Sequence, residues 1–208
     1  MAEVAERPQG VVLAEKPQGV VLGAGGEPQV LGIPVFVLGS IALGFALLGF
    51  PATYANVLPV IVMGTGLFLL VCTIWSIVLG MSFVAAVFGI FSAFWLSLGG
   101  LLLGAVVHGD WFGVKTAADA TNAAQAFYVT WAILIFLAFI PTLRLPVIYP
   151  LIFILIVLAL LLAAISAGAT ITGIVVLAFA ALGAYLFISL AFASLGGMPL
   201  PLGPTLMK

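Results

Sequence analysis

Few side chains in this sequence have the type and spacing that chemistry needs. His108 and Asp110 stand two positions apart beside Trp111, and Cys72 is the single cysteine. A zinc site takes three or four protein ligands, so this pair falls short of one. We interpret it as part of an interfacial loop anchored by the aromatic ring, and Cys72 as a small buried side chain. We therefore predict no catalytic residue, no metal site, no cofactor and no enzyme activity.

The densest pattern lies on one stretch of the chain. Phe88, Phe91, Ser92 and Trp95 are spaced i, i+3, i+4 and i+7, which places them on one face of a helix. Such an aromatic stripe is typical of core packing, and it also suits the lining of a pore. The pattern alone leaves both interpretations open.

The elements that carry these residues must lie in a membrane, because the sequence is too apolar for a soluble fold. Of 208 residues, 65% are hydrophobic and 5% are charged, and the mean hydropathy is +1.45. A soluble domain carries roughly 25% charged residues. This composition excludes a soluble enzyme, a nucleic-acid-binding protein and a disordered chain. The net charge of -1 also provides no strong field for nucleic acid.

Six apolar segments are long enough to cross a bilayer as helices, which takes about 20 residues each. Their apolar runs are continuous rather than alternating, which argues against a transmembrane β-barrel. We predict an all-α integral membrane protein with a tail over 1–32, a six-helix transmembrane domain over 33–195 and a second tail over 196–208. No Asp, Glu, Lys or Arg lies within a predicted span, so the buried ionisable relay of a proton-coupled carrier is missing. The predicted spans are Ile33–Phe50, Asn56–Leu79, Phe83–Val107, Asn122–Ile140, Val147–Ile165 and Thr170–Ser194.

The placement of Lys and Arg predicts the orientation. Six spans put both tails on one side of the membrane, where Arg7, Lys16, Arg144 and Lys208 also fall, and only Lys115 lies on the other side. Cationic residues favour the cytoplasmic side. We therefore expect both termini in the cytoplasm and the protein in the plasma (cytoplasmic) membrane.

The N-terminal tail contains a repeat. The segment Glu6–Leu13, Glu-Arg-Pro-Gln-Gly-Val-Val-Leu, returns as Glu15–Leu22 with Lys in place of Arg, and a shortened copy, Glu27–Leu31, follows. It does not have the pattern of a secretory signal. Its proline and glycine content is typical of a mobile low-complexity tail, whereas its Val-Val-Leu triplets suit a segment that docks on a protein partner or a neighbouring subunit.

Several motifs in order resemble the acetate uptake transporter family, also called the succinate–acetate permease family. Ala93-Phe-Trp-Leu-Ser97, preceded by Gly80-Met-Ser-Phe83, resembles the family's Gly-Asn-Thr-Phe and Ser-Tyr-Gly-x-Phe-Trp-Leu motifs. Glu27-Pro-Gln-Val-Leu-Gly-Ile33 falls on the signature Asn-Pro-Ala-Pro-Leu-Gly-Leu. Thr142-Leu-Arg144 and Leu200-Pro-Leu-Gly203 resemble two further family motifs. The resemblance spans about Glu27 to Gly203.

The resemblance implies six transmembrane helices around a central pore in each subunit of a homohexamer. It also implies transport of acetate and related short carboxylates. The family's hydrophobic constriction, matched position by position, is Phe36, Phe91 and Ile156 here. Some polar positions of the family differ: its signature Asn is Glu27, and Ile90-Phe91-Ser92 replaces Ser-Tyr-Gly.

Three functions remain open at this level. The first is a passive channel or transporter for acetate or a similar short monocarboxylate, favouring the neutral acid because an apolar constriction penalises a bare charge. The second is a non-conducting structural or interaction protein on the same scaffold, and the third is a urea or amide channel. We expect the lipid bilayer and a small carboxylate as partners, and no nucleic acid. The candidates for lining the pore or contacting the solute are Ser40, Thr73, Phe88, Ser92, Trp95 and Ser189.

Overall fold

A computed structural model describes residues 26–50, 54–104 and 115–207 of the chain. These ranges contain six α-helices and no strand, with one isolated β-bridge between Pro146 and Thr205. The all-α architecture predicted from the sequence is confirmed. The helices are α1 (Pro28–Leu48), α2 (Tyr54–Val78), α3 (Ser82–Leu103), α4 (Ala117–Thr142), α5 (Ile148–Ala164) and α6 (Ala169–Ser194).

The six helices form a ring around a shared core. Packing runs from α3 to α2, α1, α6, α5 and α4 in turn, and α4 also touches α3. The core draws on aromatic and branched side chains from all six helices. Helices α2 and α4 expose many large apolar side chains on their outer faces, which suits contact with lipid or with another subunit. Examples are Val60, Leu67, Ile74, Ile133 and Leu137.

Five of the helices have the length and hydropathy of membrane spans, and α5 is shorter at 17 residues. That length is at the lower limit for crossing a bilayer. The turn before α5 extends it, because Val147 already has helical dihedral angles. Together with the mean hydropathy, these helices make the chain an integral membrane protein.

Two helices, α1 and α4, begin five residues earlier than the sequence analysis predicts. Helix α1 starts at Pro28 rather than at Ile33, since proline is well tolerated in the first helical turn, where an N–H has no partner. Helix α4 starts at Ala117 rather than at Asn122. A capping box stabilises this start: the Asp119 amide donates to Thr116 Oγ1 over 3.1 Å, and the Thr116 amide donates to Asp119 Oδ2 over 3.0 Å.

These earlier starts change two predicted boundaries. The first helix includes residues 28–32, which the sequence analysis assigned to the tail. Helix α4 includes Asp119, so one charged residue does lie within a helix, although it sits in the exposed first turn. The predicted end of the third span at Val107 and most of the repeat lie outside the described residues.

Small residues allow close approach between helices of one subunit. A side chain at Gly173 of α6 would approach the carbonyl oxygen of Gly44 on α1 to 3.1 Å. A side chain at Gly66 of α2 would lie 2.9 Å from the backbone nitrogen of Leu96 on α3. Gly100, in contrast, has nothing within 4 Å. Gly44 therefore serves close packing between α1 and α6 within the subunit.

The end of the chain folds back over the bundle. We call Leu200–Met207 the C-terminal strap. Its carbonyl oxygens accept hydrogen bonds from the first amides of α5: Val147 N–H donates to Pro204 over 2.9 Å, and Ile148 N–H donates to Leu202 over 3.3 Å. A helix start leaves such amides without intrahelical partners, so the strap satisfies them.

Candidate functional site

An aromatic contact closes the middle of the bundle. The rings of Phe36 on α1 and Phe91 on α3 lie 4.9 Å apart between centroids. Phe153 on α5 lies 5.6 Å from Phe91, and Phe179 on α6 lies 5.9 Å from Phe36. All four side chains are buried. Four different helices thus contribute one ring each to the same point on the axis of the bundle.

A large cavity lies on one side of this contact. It has a volume of about 270 Å³, and we call it the near cavity. Gln29 at the start of α1, Thr142 at the end of α4 and Leu202 of the C-terminal strap line it together, so these parts share one end of the bundle. Its wall is otherwise mainly aliphatic and aromatic, with Tyr149 as a further polar contributor.

A smaller cavity lies on the other side of the aromatic contact. It has a volume of about 60 Å³, and we call it the far cavity. Its wall comes from the second halves of α1, α3 and α5 and from the first halves of α4 and α6. Its described lining residues include Tyr128 and Thr172, which carry hydroxyl groups, and are otherwise mainly apolar.

Phe36 and Phe91 line both cavities, so they form the partition between them. Ile156, the third predicted constriction residue, is 4% exposed and lines the far cavity. The structure therefore brings the three residues together at or beside the partition. Phe153 and Phe179 complete the ring of bulky groups there.

The aromatic stripe of α3 divides between the two cavities. Phe88 lies in the wall of the near cavity and Trp95 in the wall of the far cavity. The Trp95 ring meets Phe36 at 6.1 Å in an edge-on arrangement. These buried side chains pack the core and also line the two cavities.

The predicted hydroxyl candidates line neither of these two cavities. Ser92 Oγ donates to the Gly66 carbonyl oxygen over 2.8 Å and so joins α3 to α2. Ser40 and Thr73 donate to carbonyl oxygens one turn earlier on their own helices. Ser189 donates to the Leu200 carbonyl oxygen of the strap over 3.0 Å. In an apolar environment each hydroxyl needs such a partner, and backbone carbonyls satisfy it first.

Several wall residues escaped the sequence analysis. Tyr128, Tyr149, Thr142 and Thr172 line the cavities, but they lie on segments without a visible stripe. Phe153 had a weak signal, because it precedes Ile156 by one helical turn. Tyr128 and Thr172 of the far cavity had no signal in the sequence, since their proximity depends on α4 and α6 lying on either side of α5.

Among the described residues, those that line the two cavities include no Asp, Glu, Lys, Arg or His. Among the described residues, no group of three or more His, Cys, Asp or Glu lies close enough to hold a metal ion. The described lining residues of the two cavities are mainly apolar and include a few that carry hydroxyl or amide groups, which suits a small neutral solute with one polar end.

Comparison with known proteins agrees with this architecture. The chain is similar to a solved structure described as the bacterial acetate channel SatP, with a TM-score of 0.73 and 21% sequence identity over 85% of this chain and 98% of that one. At that identity the likeness shows that the two proteins share a fold. No curated protein matches the chain at a significant level. A family model described as the GPR1/FUN34/yaaH family matches residues 19–197. The resemblance to acetate transporters noted in the sequence is thereby confirmed, and the chain belongs to the GPR1/FUN34/yaaH family.

Proposed function

We propose that this protein is a passive membrane channel for acetate and similar short monocarboxylates, which cross as the neutral acid. The observation that carries the proposal is a pair of cavities inside one six-helix bundle, separated only by the Phe36–Phe91 partition. The structural similarity to a protein described as the bacterial acetate channel SatP supports the choice of solute. A transport role also fits the chain better than catalysis, because its cavities present apolar surface without a nucleophile paired to a base.

The apolar walls favour the neutral acid over the anion. An unpaired carboxylate loses much of its hydration in such a cavity and meets no cation there. A solute carboxyl group has a pKa of about 4 to 5, and above that pKa its neutral fraction falls tenfold for each unit of pH. Flux through the protein should therefore fall about tenfold per unit between pH 5.5 and 7.5 at a fixed total concentration.

Uptake of labelled acetate into liposomes that contain the purified protein tests this proposal. Because neutral acetic acid also crosses bare lipid, protein-free liposomes of the same composition supply the background at each pH. Ala159→Leu supplies a matched control, since Ala159 is buried in the wall of the far cavity and a larger side chain fills that space. We expect protein-dependent uptake that rises as pH falls and disappears in Ala159→Leu.

Urea in the same liposomes separates the alternatives. Urea flux without a pH dependence, together with no acetate flux, would identify an amide channel. No protein-dependent flux of either solute would favour the non-conducting scaffold. Neither outcome is compatible with the proposed acetate channel.

We further propose that the protein assembles as a homohexamer with both termini in the cytoplasm. The outer faces of α2 and α4 are apolar and unpartnered within the subunit, which supports contact with lipid and neighbouring subunits. Native mass spectrometry in mild detergent with added lipid should show the hexamer, and a monomer alone would contradict it. The N-terminal repeat remains a candidate docking segment for a partner.

A further inference from the structure

The near cavity has an apolar rim at the end of the bundle. Four of its lining residues belong to turns, to a first helical turn or to the strap, and we call them the mouth: Phe83 of α3, Leu145 and Pro146 between α4 and α5, and Leu202. All four side chains are partly exposed, and Phe83 is 38% exposed. Apolar surface that stays exposed at the end of a membrane-spanning bundle is typical of an interaction site.

The N-terminal tail joins the bundle beside this mouth. Gln29 and Ile33 of α1 line the near cavity, and Pro28 is the first residue of that helix. Residues 1–25 precede it and lie outside the described part of the chain. Any segment that follows closely before Pro28 in the sequence is therefore tethered next to the near cavity.

The second copy of the repeat places an apolar triplet on this tether. The triplet is Val20-Val-Leu22, and five residues separate it from Pro28. Five residues span at most roughly 17 Å when extended. Three of them are glycines, which allow the chain to reverse its direction. The tether is thus long enough for the triplet to return to the mouth, where a cavity of about 270 Å³ has room for aliphatic side chains.

The second copy suits the mouth better than the first copy does. The segment from Pro17 to Gly26 carries no charge, so it can approach an apolar surface without the cost of desolvating one. The first triplet, Val11-Val-Leu13, is followed at once by Glu15 and Lys16. Its tether is also 14 residues long, which lowers its effective concentration at the mouth roughly fivefold.

We propose that the mouth of the near cavity is a docking surface for Val20–Leu22 of the same subunit, and that the docked triplet restricts the passage of solute. The apolar side chains of the triplet cover the mouth and enter the near cavity. The docking itself depends on the mouth and the tether, whereas the restriction of solute rests on the proposed channel function.

Disulfide cross-linking tests the docking without any measurement of transport. In a full-length Cys72→Ala background, Val21→Cys and Leu145→Cys place one thiol in the triplet and one in the mouth. Mild oxidation of the purified protein followed by mass spectrometry detects the linked peptides. We expect Val21→Cys to cross-link several-fold faster than Val12→Cys, which occupies the same position in the first copy.

A second control separates docking from random collision of a tethered segment. Val20→Ser with Leu22→Ser keeps the tether and both thiols of the Val21→Cys protein but removes the apolar side chains, so cross-linking should slow several-fold. An unchanged rate in that variant, or equal rates from Val21→Cys and Val12→Cys, would overturn the proposal. A disulfide in mixed oligomers, in which each subunit carries only one of the two cysteines, would assign the tail to a neighbouring subunit and overturn it as well.

Serine substitutions test the consequence for transport. Val20→Ser, Val21→Ser and Leu22→Ser together should raise acetate uptake into liposomes several-fold, because a polar triplet no longer covers the apolar mouth. The same three substitutions in the first triplet are the matched control and should leave uptake unchanged.

The outcomes separate the docked tail from the channel. Equal uptake by the wild type and both serine variants would refute the restriction of solute and leave the channel intact. Rapid cross-linking of Val21→Cys without uptake by any variant would support the docking and refute the channel.

Discussion

At the scale of single residues, Phe91 lies where the two cavities meet. Its ring touches Phe36 and Phe153, and it belongs to the walls of both cavities. Three or four bulky apolar groups can close a path by excluding water as well as by filling space. The partition is therefore a barrier whose height depends on ring size and on local polarity.

Shrinking this ring should open the path. We expect Phe91→Ala to raise acetate flux about tenfold, equivalent to a barrier lower by ~1.4 kcal/mol, and Phe91→Tyr to raise it less, since a hydroxyl adds polarity but the ring remains. Phe139→Ala is the control, because Phe139 stacks on Phe136 of its own helix and lines neither cavity. Liposome uptake measures all three. Unchanged flux of acetate and urea in an intact Phe91→Ala oligomer would contradict the constriction assignment.

At the scale of elements, close packing between α2 and α3 sets the position of the aromatic stripe. Gly66 is the point of contact. The Ser92 hydroxyl donates a hydrogen bond to the Gly66 carbonyl oxygen, and Leu96 leaves no room for a side chain at Gly66. Overpacking at such a point typically costs about 1 to 3 kcal/mol. Gly66→Ala should therefore lower the thermal stability in detergent, whereas Gly100→Ala should leave it unchanged or raise it, because Gly100 has open space and alanine favours helix. Equal losses in both variants would show that helix α3 does not depend on this contact.

The C-terminal strap is a second element that shapes the path. Tyr185 and Ser189 of α6 donate to strap carbonyl oxygens, and Leu202 forms part of the near-cavity wall. Leu186 lines the same cavity as Leu202, so Leu186→Cys places a reporter thiol there once Cys72→Ala has removed the native cysteine. In this background, Leu202→Ala should speed labelling of the reporter thiol by a water-soluble thiol reagent several-fold.

Thr205→Ala is the matched control for the strap, because Thr205 is an exposed strap residue outside the cavity wall. Equal labelling rates in the two strap variants would show that Leu202 does not limit access to the near cavity.

At the scale of the whole molecule, the near cavity lies at the end of the bundle that holds the start of α1 and the C-terminal strap. Arg144 is exposed at that end, in the turn between α4 and α5, and Lys115 is exposed just before α4 at the opposite end. If cationic residues face the cytoplasm, the near cavity is the cytoplasmic one. In intact cells, a membrane-impermeant thiol reagent should label Lys115→Cys and spare Arg144→Cys when Cys72 is replaced. The reverse pattern would invert the proposed orientation.

Much of the helical architecture was readable from the sequence. Apolar length and charge placement located six spans, because a bilayer demands about 20 apolar residues per helix whatever their packing. The helix ends were less accurate: Pro28 and the Thr116–Asp119 capping box start α1 and α4 early. The proline and the capping box are local signals, so both are present in the sequence. A search for apolar segments misses them, because polar residues at the start of a helix lie outside the apolar segment.

The sequence by itself determined the fold class, the family and the aromatic face of α3. The fold class follows from composition, the family from short motifs in order along the chain, and the aromatic face from spacing within one helix. Only the tertiary structure decided which side chains meet. It placed Phe153 and Phe179 beside the Phe36–Phe91 partition and directed Ser40, Thr73 and Ser92 to backbone carbonyls. It also brought Thr172 and Tyr128 to the far cavity with Trp95. The physical reason is that a hydroxyl group or an aromatic side chain on one helix has several possible partners. The order of the helices around the bundle determines which of these partners it meets.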